Sequence, residues 1–158
     1  MSDIQVVPFT QNLKPWFAKL NRVWLERYFV VEPIDALVLD HPEEHVLANG
    51  GHIMFAVCGD EVFGTCALKC HDEGVYELTK MAVDDSVQGK GVGRLLLDAA
   101  IAKFKELEGA RLFLESHDSL VAALRLYETG GFEHTPRPDG PSPYVRSNIY
   151  MVWQELSR

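Results

Sequence analysis

The segment Met81–Arg94 reads MAVDDSVQGKGVGR and places three glycines at alternate positions, 89, 91 and 93. It connects an apolar, strand-like run to the strongest helical pattern of the chain, which continues to Leu107. Glycine is unfavourable at the start of a helix because it loses more conformational entropy on ordering than any other residue. Its repeated use is explained if a ligand approaches the backbone closely. Because a helix N-terminus presents unbonded N–H groups and the positive end of the helix dipole, the segment predicts a site for an anion such as pyrophosphate.

The charges around this segment indicate the same kind of ligand. The chain has a formal net charge of −8, yet no carboxylate occurs between Ser86 and Leu97. Lys90 and Arg94 stand instead at the start of the helix, where the dipole favours Asp or Glu. A bound anion would resolve this conflict. The alternative is that the glycines form only a tight turn and that both cations are solvated. The spacing fits neither a Rossmann fingerprint nor a Walker A loop.

The composition indicates one folded domain and excludes several classes of function. The 158 residues are 47% apolar and 24% charged, which suits a buried core without disulfides or a structural metal. An excess of 23 acidic over 15 basic side chains argues against a broad nucleic-acid surface. No window approaches the roughly 20 apolar residues of a membrane span, and the N-terminal sequence MSDIQVVPFTQN has no signal-peptide character. With three cysteines and no CxxC spacing, the chain is expected to be cytoplasmic, with reduced thiols.

The order of predicted elements indicates an α+β, or mixed α/β, fold in a single domain over residues 1–158. The expected strands are Ile4–Phe9, Ile53–Cys58, Glu61–Lys69, Val75–Val83, Arg111–Glu115, Phe132–His134 and Val145–Leu156. Helices are expected after Thr10, from Gly91, and after a cap formed by Asp118 or Ser119. The acidic region Glu26–His45 reads as irregular or short-helical. This order predicts a mostly antiparallel central sheet with a β-α-β-α second half.

Three motifs resemble those of the GNAT superfamily of acyl-CoA-dependent N-acetyltransferases. Gln88–Gly93 matches the pattern Q-x-x-G-x-G in the turn before the helix. Glu77–Val83, with the sequence ELTKMAV, is similar to the strand that precedes this pattern in the family. Leu124–Phe132, with the sequence LRLYETGGF, resembles the later LYxxxGF motif. The predicted elements fit the family's fold over about residues 4–156, but the motifs do not identify the acceptor.

The resemblance implies that acetyl-CoA is the acyl donor. The backbone of Met81 and Val83 would hydrogen-bond the pantetheine arm, and the amides from Gln88 to Arg94 would hold the pyrophosphate. Many relatives carry an asparagine that contacts the cofactor arm at the position of Ser119, and serine is shorter. The cofactor contacts implied in this way are Met81, Ala82, Val83, Gln88, Gly89, Lys90, Gly91, Val92, Gly93, Arg94 and Ser119.

The resemblance also implies direct attack of a neutral amine on the acetyl thioester, without a covalent enzyme intermediate. Tyr127 occupies the position of the family's general acid, which protonates the departing CoA thiolate. The alternative is ordinary core packing, because Leu120, Leu124 and Tyr127 share one helical face. Positioning of the two substrates and polarisation of the carbonyl by strand amides would supply most of the acceleration.

Glu77 is the candidate general base. Its neighbours at a period of two along the strand are apolar or weakly polar, so its carboxylate is expected to be partly buried and its pKa raised. These neighbours are Val75, Thr79, Met81 and Val83. The alternative is an edge carboxylate with a structural partner such as a lysine.

Two patterns that suggest a metal site are better explained as structural. His41–His45 matches H-x-x-E-H, but Pro42 favours the first position of a helix, which leaves His41 outside it. Cys66 and Cys70 lie four residues apart on a predicted strand, about 13 Å at roughly 3.3 Å per residue. They cannot meet at one ion together with His71, so no metal is expected.

The acceptor amine, on a small molecule or on a protein, is expected to enter between Glu26–His45 and the loop Thr135–Pro143. Four prolines stiffen that loop. The net charge of −5 over Glu26–His45 suits a cationic amine, and a solvated acidic surface is the alternative. Aromatic residues that could line an apolar pocket, or pack in the core instead, are Trp16, Trp24, Tyr28 and Phe29.

Two other functions are compatible with the same turn. One is a non-catalytic module that binds acyl-CoA, and the other is a regulator that binds a different nucleotide diphosphate. Only CoA has a pantetheine arm for the strand edge at Met81–Val83, so competition between CoA, ADP and NAD would separate the second alternative. The resemblance makes a homodimer one assembly to expect, although no segment of the sequence marks an interface.

Overall fold

One seven-stranded sheet organises the molecule, which a computed structural model describes over residues 3–138 and 140–155. The strands are β1 (Gln5–Pro8), β2 (His52–Cys58), β3 (Glu61–Asp72), β4 (Val75–Val83), β5 (Arg111–Ser116), β6 (Phe132–His134) and β7 (Ile149–Trp153). The helices are α1 (Lys14–Tyr28), α2 (Pro33–Asp40), α3 (Pro42–His45), α4 (Val92–Glu106) and α5 (Val121–Thr129), and two 3-10 turns are formed by Leu47–Asn49 and Asp85–Val87. The strand order is β1-β2-β3-β4-β5-β7-β6. Only β4 and β5 pair in parallel among these strands, which confirms the predicted mixed α/β fold.

The sheet separates two hydrophobic cores. On one face, α4 buries the apolar stripe formed by Leu96, Leu97 and Ala100 against alternate residues of the central strands. On the other face, α1 and α2 bury Phe17 and Leu39 against the opposite set of strand residues. No helix formed by the described residues has the length and apolar character needed to cross a bilayer.

A β-bulge in β4 changes which residues face each core. Thr79 pairs with Ala67 and Ala82 pairs with Thr65, so two residues of β4 oppose one residue of β3. Lys80, within the bulge, has a φ angle of +55°, which is uncommon for a residue other than glycine. Because the bulge shifts the alternation by one position, Ala82 packs in the α1 core, although a regular strand would place it with Leu78 in the α4 core.

Beyond the bulge, the parallel strands β4 and β5 separate. Their pairing covers only Val75–Glu77 of β4, matched to Arg111–Phe113 of β5. The rest of β4 therefore has no strand beside it on the β5 side within the described residues. In this stretch the Lys80 carbonyl accepts from Asn21 Nδ2 and the Val83 carbonyl accepts from Gln88 Nε2. Backbone groups of this edge that have no such partner are available to a ligand.

Several element boundaries differ from those expected. The predicted side-chain cap of α5 is wrong: the helix begins at Val121 after Leu120, and neither Asp118 nor Ser119 caps it. The closing strand was expected over Val145–Leu156 but forms only at Ile149–Trp153, because the preceding residues are held by loop contacts, and Leu156 lies outside the described residues. The acidic region folds into α2 and α3, as the short-helical interpretation suggested.

Candidate active site

The turn between β4 and α4 presents free backbone donors. Gly89 and Gly91 have φ angles of +78° and +85°, in the left-handed region that favours glycine, and Gly91 is the N-cap residue of α4. A Cβ atom at either position would have no heavy atom within 4 Å, so the space beside this backbone is open. Among the described residues the N–H groups of both glycines have no backbone acceptor, whereas Lys90 donates to the Val87 carbonyl at 3.1 Å. The first turn of α4 adds further free N–H groups.

A groove of about 590 Å³ lies beside this turn, between β4, α4 and α5. Of the predicted cofactor residues, those that line it are Met81, Val83, Gln88, Gly89, Gly91, Val92, Gly93, Arg94 and Ser119. Ala82 does not, because the bulge turns its side chain into the α1 core, where it is 2% exposed. The Lys90 side chain is exposed and also lies outside the groove lining.

Arg94 is hydrogen-bonded within the protein. Its Nε donates to Asp98 Oδ1 at 3.0 Å, one turn along α4, and its Nη1 donates to Thr129 Oγ1 at 3.2 Å. Asp98, which directly follows the carboxylate-free stretch from Ser86 to Leu97, therefore supplies part of the missing counter-charge. Ser119 is likewise engaged, since its Oγ lies 2.7 Å from Nδ1 of His117.

A smaller cavity of about 90 Å³ adjoins the groove where β4 and β5 separate. Both are lined by Trp24, Met81, Leu120 and Tyr127, so the two spaces are neighbours across these side chains. The far side of the cavity carries Glu77, Glu115 and Arg146. We refer to this space as the reaction cavity.

Tyr127 lies at the boundary between the groove and the reaction cavity. Its ring packs against Phe132 with a centroid separation of 6.1 Å, which accounts for the apolar spacing on α5. Its hydroxyl makes no hydrogen bond to any described residue. Burial raises the pKa of Tyr127 to about 12. Tyr127 is thus a packing residue whose side chain lines both cavities and whose hydroxyl keeps its proton at neutral pH.

Glu77 is buried and paired with a histidine. Its side chain is 5% exposed, and Oε1 lies 2.8 Å from Nε2 of His71, whose side chain is 38% exposed. The carboxylate therefore has a hydrogen-bonded route to solvent through an imidazole. The expected apolar surroundings are wrong in part: the bulge moves Met81 and Val83 to the α4 face, and Glu77 instead shares its face with His71 and Glu115. The partner of this carboxylate is therefore His71 and not a lysine.

A buried ionic cluster, which the sequence did not reveal, closes the α2 side of the reaction cavity. Asp35 has no exposed surface. Its carboxylate accepts hydrogen bonds from Lys80 Nζ at 2.6 Å and from both terminal nitrogens of Arg146 at 2.8 Å. Arg146 Nη1 also donates to Glu32 Oε2 at 3.0 Å, so two carboxylates and two cations neutralise one another. Burial alone would raise the pKa of Asp35, but the hydrogen bonds from Arg146 and Lys80 lower it to about 2. We call these four residues the ionic cluster.

The cluster connects three separate parts of the chain. Glu32 and Asp35 belong to the start of α2, Lys80 to the bulge in β4, and Arg146 to the loop between β6 and β7. Asn21 of α1 adds a further tie, since its Nδ2 donates to the Lys80 carbonyl at 3.1 Å. Burial lowers the pKa of Lys80, opposed by the neighbouring Asp35 carboxylate. Lys80, whose backbone has a positive φ angle, is thus held both by its side chain and by its carbonyl.

This cluster changes the interpretation of the acidic region. Four of its six carboxylates are paired: Glu32 and Asp35 in the cluster, Asp40 with Arg22, and Glu43 with Lys14. Most of the negative charge of Glu26–His45 is therefore neutralised within the protein. Of the four aromatic residues considered for an apolar pocket, Trp24 and Phe29 line the reaction cavity.

Of the two patterns that suggest a metal site, one keeps its histidine rings close together and the other is divided between the core and a partly exposed position. His41 caps the end of α2 and the start of α3, as expected from Pro42, and its ring stacks edge-on against His45 at 6.5 Å. Cys66 is buried in the α4 core, where burial raises the pKa of its thiol to about 12, while Cys70 is partly exposed. Within residues 3–138 and 140–155 no group of three metal-ligating side chains occurs.

Two curated proteins with sequence similarity to this chain are named as acetyltransferases. The chain is 31% identical over 104 residues to the uncharacterized N-acetyltransferase YvbK of Bacillus subtilis (strain 168), covering 64% of this chain and 67% of that protein. It is 35% identical over 80 residues to the mycothiol acetyltransferase of Geodermatophilus obscurus, covering 47% of this chain. The matched segment spans only 26% of the mycothiol acetyltransferase.

Solved structures share the fold over nearly the whole chain. An acetyltransferase of the GNAT family from Staphylococcus aureus Mu50 superposes with a TM-score of 0.85 at 22% identity, covering 95% of this chain and 98% of that one. A Bacillus subtilis acetyltransferase in complex with CoA superposes with a TM-score of 0.71 at 20% identity, covering 97% and 99%. The family profile described as "Acetyltransferase (GNAT) family" matches residues 14–132, from α1 to the first residue of β6. The chain therefore belongs to the GNAT acetyltransferase family.

Proposed function

We propose that this protein is an N-acetyltransferase that moves the acetyl group of acetyl-CoA to a primary amine within a ternary complex. The observation that carries the proposal is the position of Tyr127, whose side chain lines both the groove beside the glycine turn and the reaction cavity that contains Glu77. Family membership supports the choice of acyl donor, and the similar Bacillus subtilis acetyltransferase was solved with CoA. The unpaired thiols of the three cysteines support a cytoplasmic setting.

In this proposal the glycine turn and the open edge of β4 hold the cofactor. The free N–H groups of Gly89, Gly91 and the first turn of α4 bind the pyrophosphate, where the helix dipole favours negative charge. The pantetheine arm lies along the β4 edge at Met81–Val83, which lacks a strand partner on the β5 side. Among the predicted contacts, we retain Ala82 only for its backbone groups. Lys90 would contribute only the charge of its exposed side chain, because its N–H already donates to the Val87 carbonyl.

The chemistry is a direct displacement at the thioester carbonyl. The lone pair of the neutral amine attacks the carbonyl carbon, a C–N bond forms, and the carbon–sulfur bond then breaks. Tyr127 donates its proton to the departing thiolate, so CoA leaves as the thiol. The proton lost by the amine passes to Glu77 and on to solvent through His71, 2.8 Å away. Tyr127 regains its proton from solvent, which completes the proton balance.

A thiol-release assay with acetyl-CoA and a panel of amines tests the proposal. The panel contains polyamines, amino acids, aminoglycosides and peptide N-termini. We expect Tyr127→Phe to lower kcat by up to about 10²-fold with little change in the KM for acetyl-CoA, because a thiolate is a tolerable leaving group. Tyr76→Phe, a buried tyrosine of the α4 core that lines neither the groove nor the reaction cavity, is the matched control and should retain full turnover. Tight CoA binding without transfer to any amine would indicate a binding module instead.

A further inference from the structure

A third cavity extends the reaction cavity across the α1 face of the sheet. It has a volume of about 260 Å³ and lies over β4, β5 and β7, beneath the proline-rich loop. Glu77, Glu115 and Tyr144 line both spaces, so a molecule with one end in the reaction cavity can place its other end here. We call this space the side cavity.

The charges of the side cavity divide into paired and unpaired groups. Glu77 is paired with His71 at 2.8 Å, and Glu115 accepts Arg137 Nε at 3.0 Å. Arg111 also lines the cavity, but no carboxylate of a described residue lies within 4.0 Å of its guanidinium. Two of the three carboxylates of the cavity are thus engaged, and the third, Asp72, is exposed at the end of β3. Asp72 forms no ion pair with Arg111, so among the described residues Arg111 is a cation without a paired carboxylate.

The hydrogen bonds of Arg111 are incomplete as well. Its Nη2 donates to the Tyr150 hydroxyl at 2.6 Å, and its guanidinium lies 5.6 Å from the centre of the Tyr150 ring. Its Nε is buried and has no hydrogen-bond partner among the described residues. An unpaired buried donor on a charged group is costly, so such a group usually has a function or an unseen partner. Lys69, a second cation of the cavity, also lacks an ion-pair partner within the described chain.

The chemistry of this arrangement selects one kind of partner. A guanidinium presents two parallel N–H donors that match the two oxygens of a carboxylate. Arg111 is paired in the sheet with Val75, two residues before Glu77. At roughly 3.3 Å per residue, this places its backbone about 7 Å along the sheet from Glu77. The spacing suits a short molecule with an amine at one end and a carboxylate at the other.

We propose that the acetyl acceptor is an aminocarboxylate, whose amine lies beside Glu77 and whose carboxylate binds Arg111, with Lys69 as a second cation of the same cavity that has no ion-pair partner in the described part of the chain. This inference rests on the proposed function, since it assigns the second substrate of the same site. The carboxylate takes no part in the bond changes. It fixes the position of the amine and so contributes to binding and orientation.

Matched pairs of amines provide the test. Straight-chain aminocarboxylates from glycine to 5-aminopentanoate, together with aspartate and glutamate, are each compared with the corresponding carboxamide in the thiol-release assay. We expect at least one aminocarboxylate to exceed its amide by about tenfold or more in kcat/KM. Arg111→Gln should raise the KM for that aminocarboxylate about tenfold and change kcat less, because the lost interaction is present in the ground state. Arg22→Gln, whose exposed side chain lies outside all three cavities, is the matched control.

A second variant and a binding measurement separate the outcomes. Lys69→Gln should reduce the preference in the same direction, even if Arg111→Gln does not fold. Calorimetry of the preferred aminocarboxylate with the CoA-bound protein should show binding that Arg111→Gln weakens. Efficient transfer with no preference for carboxylates, or a preference that both variants keep, would overturn this inference and leave the proposed function standing. Absence of transfer to every amine, despite CoA binding, would refute the proposed function itself.

Discussion

Replacing Asp35 with asparagine removes the negative charge at the centre of the ionic cluster while nearly preserving its shape. Lys80 then loses its carboxylate partner at 2.6 Å, although its side chain is only 3% exposed. Arg146 retains Glu32 at 3.0 Å. Removing one partner of a buried ion pair lowers the free energy of unfolding by about 3–5 kcal/mol. Because Arg146 still pairs with Glu32, we expect the loss in Asp35→Asn to be near the lower value. For a chain of this length, about 3 kcal/mol corresponds to a Tm lowered by roughly 6–12 °C.

Urea unfolding and a thermal scan of the two proteins at pH 7 would measure this change. Asp40→Asn is the matched control, because Asp40 pairs with Arg22 at 2.9 Å on the surface, where a salt bridge is worth about 0–1 kcal/mol. We expect the two variants to differ by at least about 2 kcal/mol. Equal losses for Asp35→Asn and Asp40→Asn would refute the assignment of the cluster as a stabilising connection.

The same cluster predicts a pH dependence with a defined sign. The pKa of Asp35 is lowered from 3.8 to about 2 in the folded protein, so the unfolded chain binds its proton first as the pH falls. The stabilisation by the ionised Asp35 is therefore complete above about pH 5 and is lost as the pH falls through about 4 to about 2. The difference in free energy of unfolding between the natural protein and Asp35→Asn should shrink over that range. A difference that stays constant down to pH 3 would contradict the assignment.

Three further predictions concern the cofactor site and the proton transfers. Gly91→Ala places a side chain at φ +85°, which costs about 1 kcal/mol of stability, and should weaken CoA binding about tenfold in calorimetry. The control is Gly50→Ala, where φ is +88° and the space is equally open. It should lose similar stability and keep its affinity for CoA. CoA affinity unchanged in Gly91→Ala would argue against the pyrophosphate site. Glu77→Gln should lower kcat/KM and shift or remove the acidic limb of the pH–rate profile, because no carboxylate remains to accept the amine proton; an unaltered profile would exclude Glu77 as the base. Because the pKa of Tyr127 is raised to about 12, its hydroxyl should stay protonated, and kcat should not fall through loss of this acid below about pH 10; a Tyr127-dependent fall near pH 8 would contradict that role.

The fold could be predicted in outline from local patterns. The strand Val75–Val83 forms with the bounds expected, and Phe132–His134 does as well, because alternating apolar residues and flanking turn residues define them. The glycine turn was predictable because positive φ angles require glycine. The predicted cap of α5 is wrong. A serine near the start of a helix is a common cap, but here the Ser119 hydroxyl is hydrogen-bonded to His117.

The residues that sequence reasoning missed depend on long-range contacts. The bulge at Lys80 leaves no local signal, because lysine is not a residue that favours positive φ, and it changed the expected faces of Met81 and Ala82. The partners of Asp35 are 45 and 111 residues away, and no periodicity relates such positions. The sequence pattern suggests for His71 only the role of a metal ligand. Its contact with Glu77 arises where β3 and β4 lie side by side.

The attachment of the β6–β7 loop bears on how selectivity could be altered. Arg146 is held in the ionic cluster, and the neighbouring Val145 N–H donates to Glu32 at 3.0 Å, while its own side chain remains 92% exposed. The tether therefore lies at the C-terminal end of the loop, whereas Arg137 and Pro138, nearer the other end, line the side cavity. Shuffling or lengthening the stretch from residue 136 to residue 143 would remodel that cavity without touching the tether. A library confined to this stretch would explore new acceptors on an otherwise intact scaffold.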